Sequence, residues 1–336
     1  MHLRPNNLIF LITVILWLLS YLCQAQVNGQ SQNLQLVIDS MLTISKGKHR
    51  LLSYQFNTIY PPEGQDSSFQ RSGFIHPLNT LKGHRLTRIQ PNDHYHHYGI
   101  WNPWTHTLFE QDTVDFWNLK KKTGTVRFVR ITNKDKGRNY AEYTALHHHV
   151  AFKKNGIEKV ALEEWQTVRV EVPEESKDYY WVDITTTFRC ASTSPLRLLT
   201  YRYGGLGWRA TEFWDKNNCE VLTSEGNDRK NTDGSKARWC LVQGDLPNNS
   251  HGGMAVLSHP DNYNHPEPLR IWDESGNNGR GDFFLNVSPT KDRDWLLEPG
   301  HTYILKYRLI VFDGRMDADS VERTWQSFSK NQATHK

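Results

Sequence analysis

The chain of 336 residues carries 40 Lys and Arg against 36 Asp and Glu, a formal charge of +4. That excess is too small for the basic stripe of a nucleic-acid-binding protein. The 12 Trp and the 12% share of aromatic residues exclude a disordered chain, and the length allows two domains or one large all-β domain.

The N-terminus reads as an export signal. Arg4 supplies a positive flank, Leu8 to Leu19 is an apolar run broken only by Thr13, and Cys23-Gln-Ala25 places small residues at −3 and −1 of a cleavage point. Residues 1–25 are therefore expected to be a signal peptide, and the mature protein to be periplasmic or extracellular. After it, no stretch approaches the ~20 apolar residues that span a bilayer, so no membrane span is expected once the signal is removed. Cys190, Cys219 and Cys240 remain, which permits one intramolecular disulfide at most.

Residues 26–36 are polar and read as a flexible lead-in. From there the hydrophobic period is two. In 181–190, Val182, Ile184, Thr186, Phe188 and Cys190 share one face, with Asp183, Thr185, Thr187 and Arg189 on the other. Tyr303, Leu305, Tyr307, Leu309 and Val311 repeat the pattern. Segments 51–60, 125–133, 160–172, 198–206, 238–243 and 253–258 also read as strands. One helix follows, capped by Asp317, with Val321, Trp325 and Phe328 on one stripe. The expected fold is all-β, a large antiparallel β-sandwich with one short C-terminal helix, forming a single domain over 37–330.

The chemistry concentrates between Leu86 and His106. Arg88, Asp93, His94, His96, His97 and His106 lie there with Trp101 and Trp104, punctuated by Pro91, Gly99 and Pro103. Imidazole titrates near neutrality and suits acid–base work. Indole faces suit stacking on the C–H face of a sugar ring. There is no HExxH and no Cys pair at zinc spacing, so neither a metal nor another cofactor is expected. A second cluster runs from Thr200 to Trp214, with Arg202, Arg209 and Glu212 as candidates to fix hydroxyls or a carboxylate. Gly204, Gly205 and Gly207 precede no helix, so they are assigned to close backbone approach rather than to a phosphate cradle. Glu225, His259 and Asn262 lie in polar stretches that are expected to complete a cleft. His147, His148 and His149 read as surface or groove-lining strand residues, and Glu163 and Glu164 as solvated charges.

Several of these stretches together resemble the DUF6807 (PmoA-like) family. They are Arg71-Ser-Gly-Phe-Ile-His-Pro-Leu78, Leu86-Thr-Arg88, Asp93-His-Tyr-His-His-Tyr-Gly-Ile-Trp101, Asp115-Phe-Trp117, Tyr203-Gly-Gly-Leu-Gly-Trp-Arg209, Thr232-Asp-Gly-Ser-Lys-Ala-Arg-Trp239 and His259-Pro-Asp-Asn262 with His265-Pro266. The resemblance covers roughly residues 40–315. It implies a galactose-mutarotase-like β-supersandwich and a link to sugar metabolism. The label's suggestion of a methane monooxygenase subunit conflicts with the lack of spanning helices. Mutarotase-like folds place a His and a carboxylate at a sugar ring, which makes His94, His97 and Glu212 the acid–base candidates, with Glu225 second to Glu212. The expected function is an exported carbohydrate-active protein, a glycoside hydrolase, lyase or epimerase with a saccharide ligand. The alternatives are a non-catalytic glycan-binding β-sandwich and a structural envelope protein.

Overall fold

A computed structural model describes residues 33–330. The expected signal peptide at 1–25 and the lead-in as far as residue 32 lie outside the described residues. In chain order the first strands are β1 (Leu34–Ile38), β2 (Leu42–Lys46), β3 (His49–Gln55), β4 (Phe74–Leu78), β5 (Ile100–Trp101), β6 (Thr107–Phe109) and β7 (Asp112–Val114). Four longer or bridging strands follow: β8 (Gly124–Lys136), β9 (Tyr140–Phe152), β10 (Glu158–Glu171) and β11 (Tyr179–Cys190). Then come β12 (Leu196–Leu198), β13 (Gly207–Arg209), β14 (Cys219–Thr223), β15 (Trp239–Leu246) and β16 (Ser250–Ser258). The last are β17 (Leu269–Ile271), β18 (Phe284–Val287), β19 (Trp295–Leu297) and β20 (Tyr303–Asp313), before helix α1 (Ala318–Lys330).

Two eight-stranded sheets dominate. One has the order β1-β2-β3-β4-β5-β13-β18-β17, the other β14-β15-β16-β20-β11-β10-β9-β8, and a small third sheet runs β19-β12-β6-β7. All the paired strands are antiparallel, as in β11 on β20, where Val182 faces Leu309 and Ile184 faces Tyr307. The large antiparallel sandwich with a short C-terminal helix, expected from the sequence, is the fold observed. No helix among the described residues is long and apolar enough to cross a membrane.

Strand alternation sorts the residues into layers. Ile75, Ile100, Trp208, Leu285, Leu269 and Ile271 of the first sheet join Val182, Ile184, Phe188, Leu305 and Leu309 of the second in one apolar core. The opposite face of β15, β16 and β20, with Trp239, Leu257, Ile310 and Phe312, is covered by Val321 and Phe328 of α1. The remaining face belongs to the first sheet, where Phe74, Trp101 and Phe284 point away from the core and pack with Tyr98, Trp117 and Leu119. Arg209 and Arg270 alternate with core residues on the same outer side.

Four expectations fail. Leu34 to Leu36 of the expected flexible lead-in belong to β1, and the strand expected over 51–60 ends at Gln55. Of the stretch 198–206 only Leu198 lies in a strand, the last residue of β12, and 199–206 are a loop leading to β13. Gly205 has φ +89, and a Cβ there would sit 3.1 Å from both Pro289 Cδ and Val287 O, so the close approach read from the glycines is present. His147, His149 and Glu164 are buried to within 1% of full enclosure instead of solvated. The face alternation was correct, since His148 faces outward beside Glu163, but the inner face finds a carboxylate on the neighbouring strand of its own sheet and a hydroxyl from the other sheet. His149 Nε2 lies 2.6 Å from Glu164 Oε2 and His147 Nδ1 3.3 Å from Oε1, while the Tyr54 hydroxyl of β3 meets His147 Nε2.

Cys190, Cys219 and Cys240 are all free thiols, and Cys219 and Cys240 are buried in β14 and β15. Burial pushes the Cys219 thiol up to about 12 and raises that of Cys240.

Candidate functional site

The site is built on the outer face of the first sheet, where β5, β13, β18 and β17 lie side by side. The 91–98 loop enters this face and is pinned at Gly99. That residue has φ +55, and a Cβ there would come within 2.2 Å of Ile75 O, so only glycine fits. Gln90 N donates to His97 O and Gly99 N to Arg88 O, folding the loop back so that three imidazoles converge. The ring centroids of His94 and His97 are 4.7 Å apart, those of His94 and His96 5.3 Å, and those of His96 and His97 4.8 Å.

An ion network lies beneath them. Arg209 is fully buried and its Nη2 reaches Asp93 Oδ2 at 3.0 Å and Asp282 Oδ2 at 2.6 Å. Asp282 also takes Arg88 and Arg280 and accepts from Asn277 Nδ2 at 3.1 Å. Asp93 Oδ2 accepts in turn from His94 Nδ1 at 2.9 Å. Burial opposes ionisation of Asp93, but the His94 hydrogen bond and the Arg209 charge outweigh it and hold the carboxyl well below its usual range. Burial pulls Arg209 down to about 10, with Arg88 adding repulsion, so it stays charged at neutral pH.

The three imidazoles differ. His97 is buried, and burial together with His96, Arg209, His94 and Arg88 drives its pKa well below the ordinary value. Arg209 Nη1 lies 3.5 Å from its Nδ1, which assigns the ring proton to Nε2. The His97 ring stacks on Phe284 at 4.8 Å. His96 is likewise lowered, to about 4, by burial and then by His94. Burial and the surrounding arginines disfavour the protonated form of His97. His94 is the imidazole with a carboxylate behind it.

These groups open onto a cavity of about 280 Å³, lined by His94, His96, His97, Trp117, Asn118, Arg202, Tyr203, Arg270, Trp272 and Phe284. A shallower one of about 210 Å³ adjoins it through His94, Arg270 and Trp272 and adds Asp273, whose carboxylate is bound by Ser275. Trp272 lies 4.7 Å from His94 and under the Arg209 guanidinium, also at 4.7 Å. Arg202 lies over the Tyr203 ring at 5.3 Å and has no carboxylate within 4 Å; Arg270 Nη1 meets Asp233 at 2.8 Å. Among the described residues, no group of three or more His, Cys, Asp or Glu is arranged to hold a metal ion.

The expected residues thus fall into three sets. His94, His96, His97 and Arg202 line the cavity, and Arg88, Asp93 and Arg209 form its support. Trp101 lies below it, 5.3 Å from His97 and nearly fully buried. The others take no part in the lining. Trp104 is in the inter-sheet core against Phe188 and Trp295, out of reach of any ligand. His106 stacks on Tyr201 at 4.6 Å. Glu212 is out of the Arg209 network, since the two aspartates occupy that guanidinium; it pairs with Arg85 at the surface. Glu225 pairs with Arg238 at 3.8 Å, beside Glu322 of α1. His259 and Asn262 lie in the loop after β16, His259 against Phe328 and Asn262 bonded to Glu267 and Lys306 O. Trp272, Arg270, Asp282, Arg280 and Asn118 were missed by sequence reading. The alternation Leu269-Arg-Ile-Trp272 was the available signal for two of them.

Fold and site together define an antiparallel β-sandwich protein with a His- and Arg-lined cavity on one outer sheet face. The chain belongs to the DUF6807 family, described as a family of unknown function, whose pattern it matches over residues 41–326. No curated protein matches it in sequence. Among solved structures it is similar to a GH36 α-galactosidase from Geobacillus stearothermophilus, at 10% identity and a TM-score of 0.40, over 84% of this chain and 41% of that one. It is similar to a polysaccharide lyase at 13% identity and a TM-score of 0.37, over 87% and 34%. An α-galactosidase from Lactobacillus brevis aligns at 10% identity and a TM-score of 0.34, over 88% and 41%. The chain spans about two fifths of the length of the galactosidases it matches.

Proposed function

We propose that this protein acts on an acidic saccharide by proton transfer, with His94 as the base. The Asp93–His94 pair carries the reading. Asp93 accepts from Nδ1–H, which leaves Nε2 as the proton acceptor. Asp93 is in turn fixed by Arg209, so the imidazole is oriented before any ligand arrives.

The charge around it selects the chemistry. Hydrolysis by two carboxylates needs an opposed pair across the scissile bond. No carboxylate lines the main cavity, and Asp93 and Asp282 are engaged by arginines. Removal of a proton next to a carboxylate needs instead a base and fixed cations to hold the charge that develops. His94, Arg202 and Arg270 are of those types. In an elimination on a uronic acid, His94 Nε2 takes the C5 proton and the electron pair forms the C4–C5 double bond. The C4–O4 bond breaks, and the Tyr203 hydroxyl, kept protonated by burial, gives its proton to the departing oxygen. In an epimerisation the first step is the same, and a proton returns to C5 from the other face. A lyase or epimerase is therefore favoured over a glycoside hydrolase. Export under the 1–25 signal belongs to the same proposal, and N-terminal sequencing of the exported protein checks it.

The test is a screen of uronate-containing plant and algal oligosaccharides against neutral ones, reading the ultraviolet absorbance of an unsaturated uronide and the sugar configuration of the products. Turnover confined to uronates, and reduced about 10²–10⁴-fold in His94→Ala with the fold intact, is the expected result. Turnover of neutral glycans alone refutes the acidic-substrate reading. Tight binding without conversion establishes the glycan-binding alternative.

A further inference from the structure

A second cavity, of about 410 Å³, is larger than the first and lies on the other side of the Trp117–Leu119 segment. Leu119 lines it, whereas Trp117 and Asn118 line the His94 cavity. Arg71, only 2% exposed, is one of its walls. Of the five N–H donors of this guanidinium, one is satisfied, from Nη1 to Phe116 O at 3.2 Å. Its Nε has no partner, and no carboxylate lies within 4 Å. The Ser68 hydroxyl, which lines the same cavity, is also buried without a partner.

A buried cation without a counter-ion is costly, and the nearby charge does not remove the cost. Glu164 acts on Arg71 through space but is committed to His147 and His149. The other two cations of the cavity are already paired, Lys122 with Asp66 at 3.0 Å and Arg127 with Glu158. No Asp or Glu lines the space, while Phe56 and Phe128 supply apolar faces and Asn57 and Thr58 polar edges. That mixture of ring faces, hydrogen-bonding edges and one unpaired cation suits a sugar-sized anion.

We propose that this cavity is a second binding site, which takes an oxyanion, a carboxylate or a sulfate ester, carried on a sugar-sized ligand, with Arg71 as its counter-ion. The site does not depend on the chemistry assigned to His94 and has no catalytic base of its own.

The experiment is calorimetric titration with D-galacturonate, galactose 6-sulfate and neutral galactose. It is run on the wild type and on an Arg202→Ala/Arg270→Ala background in which the His94 cavity has lost its cations. The expected result is one anion bound per chain in that background, with galactose at least tenfold weaker. The galacturonate and sulfate arms show which oxyanion is preferred. Arg71→Met should weaken the anion at least tenfold. Thr58→Trp, which fills the exposed rim and leaves Arg71 in place, should do the same and keeps the test valid if Arg71→Met fails to fold. Anion binding in the wild type that vanishes in the background overturns this proposal alone and leaves the His94 reading intact. Binding in the background that survives Thr58→Trp overturns it as well.

Discussion

Replacing Glu164 by Gln removes one negative charge from the space between the two sheets and leaves the side-chain shape unchanged. In the native chain Glu164 is fully buried and accepts from His149 at 2.6 Å, from His147 at 3.3 Å and from Gln166 at 3.4 Å. Burial opposes its ionisation, but the two imidazole donors prevail and move its pKa from 4.5 down to about 2. His149 is lowered by burial despite Glu164, so that pair is a carboxylate held by a neutral ring. A lowering of that size corresponds to about 3 kcal/mol of folding stability, and breaking a buried pair from one side costs a similar ~3–5 kcal/mol. The glutamine amide turns an acceptor into a donor opposite an imidazole N–H, so at pH 7 Glu164→Gln should lose about 3 kcal/mol in urea unfolding. The sign of the pH dependence follows from the lowered pKa: the native advantage is complete above 4.5 and drains away as pH falls toward 2. The gap between wild type and variant should therefore narrow by about 1 kcal/mol at pH 4 and about 2 kcal/mol at pH 3. A variant within about 0.5 kcal/mol of wild type at pH 7, or a gap that stays constant on acidification, refutes a buried ionised Glu164.

Three further outcomes are open to direct measurement. Asp282→Asn strips Arg88, Arg209 and Arg280 of their shared acceptor and should cost about 3–5 kcal/mol in thermal or urea unfolding. Asp317→Ala removes the carboxylate that accepts from Ser320 N at 2.7 Å ahead of α1 and should cost about 1 kcal/mol, read from the same curves. Glu212→Gln breaks only a half-exposed pair with Arg85; it should change stability by no more than about 1 kcal/mol and leave saccharide turnover at the wild-type rate.

The parts of the molecule that local pattern controls were readable. The face assignment of β11 and β20 and the stripe of α1 each follow from which neighbours two, three or four positions away are apolar, and the structure has them as expected. The cluster from Asp93 to His97 was readable for the same reason, since the residues of the site lie next to one another in the chain. Partners supplied from far away were not. Asp282 is 73 residues from Arg209, and nothing near either position says that they meet. Glu212, only three positions from Arg209, pairs instead with Arg85. His147, His149 and Glu164 look like ordinary strand charges until Tyr54 of β3 is brought over them from the other sheet. Trp104 was grouped with the site by its neighbours in sequence, although the chain turns it into the core. The DUF6807 resemblance supplied Trp117 and Tyr203 within quoted motifs but assigned them no place.

Cys219 of β14 and Cys240 of β15 are free thiols, and no disulfide ties the described residues together. Cys219 and Cys240 are enclosed and held as neutral thiols, and a thiolate-seeking reagent reaches them only when the edge strand β14 comes away from β15. Their labelling rate is thus a built-in clock for the opening of that edge, readable without adding a probe to the chain.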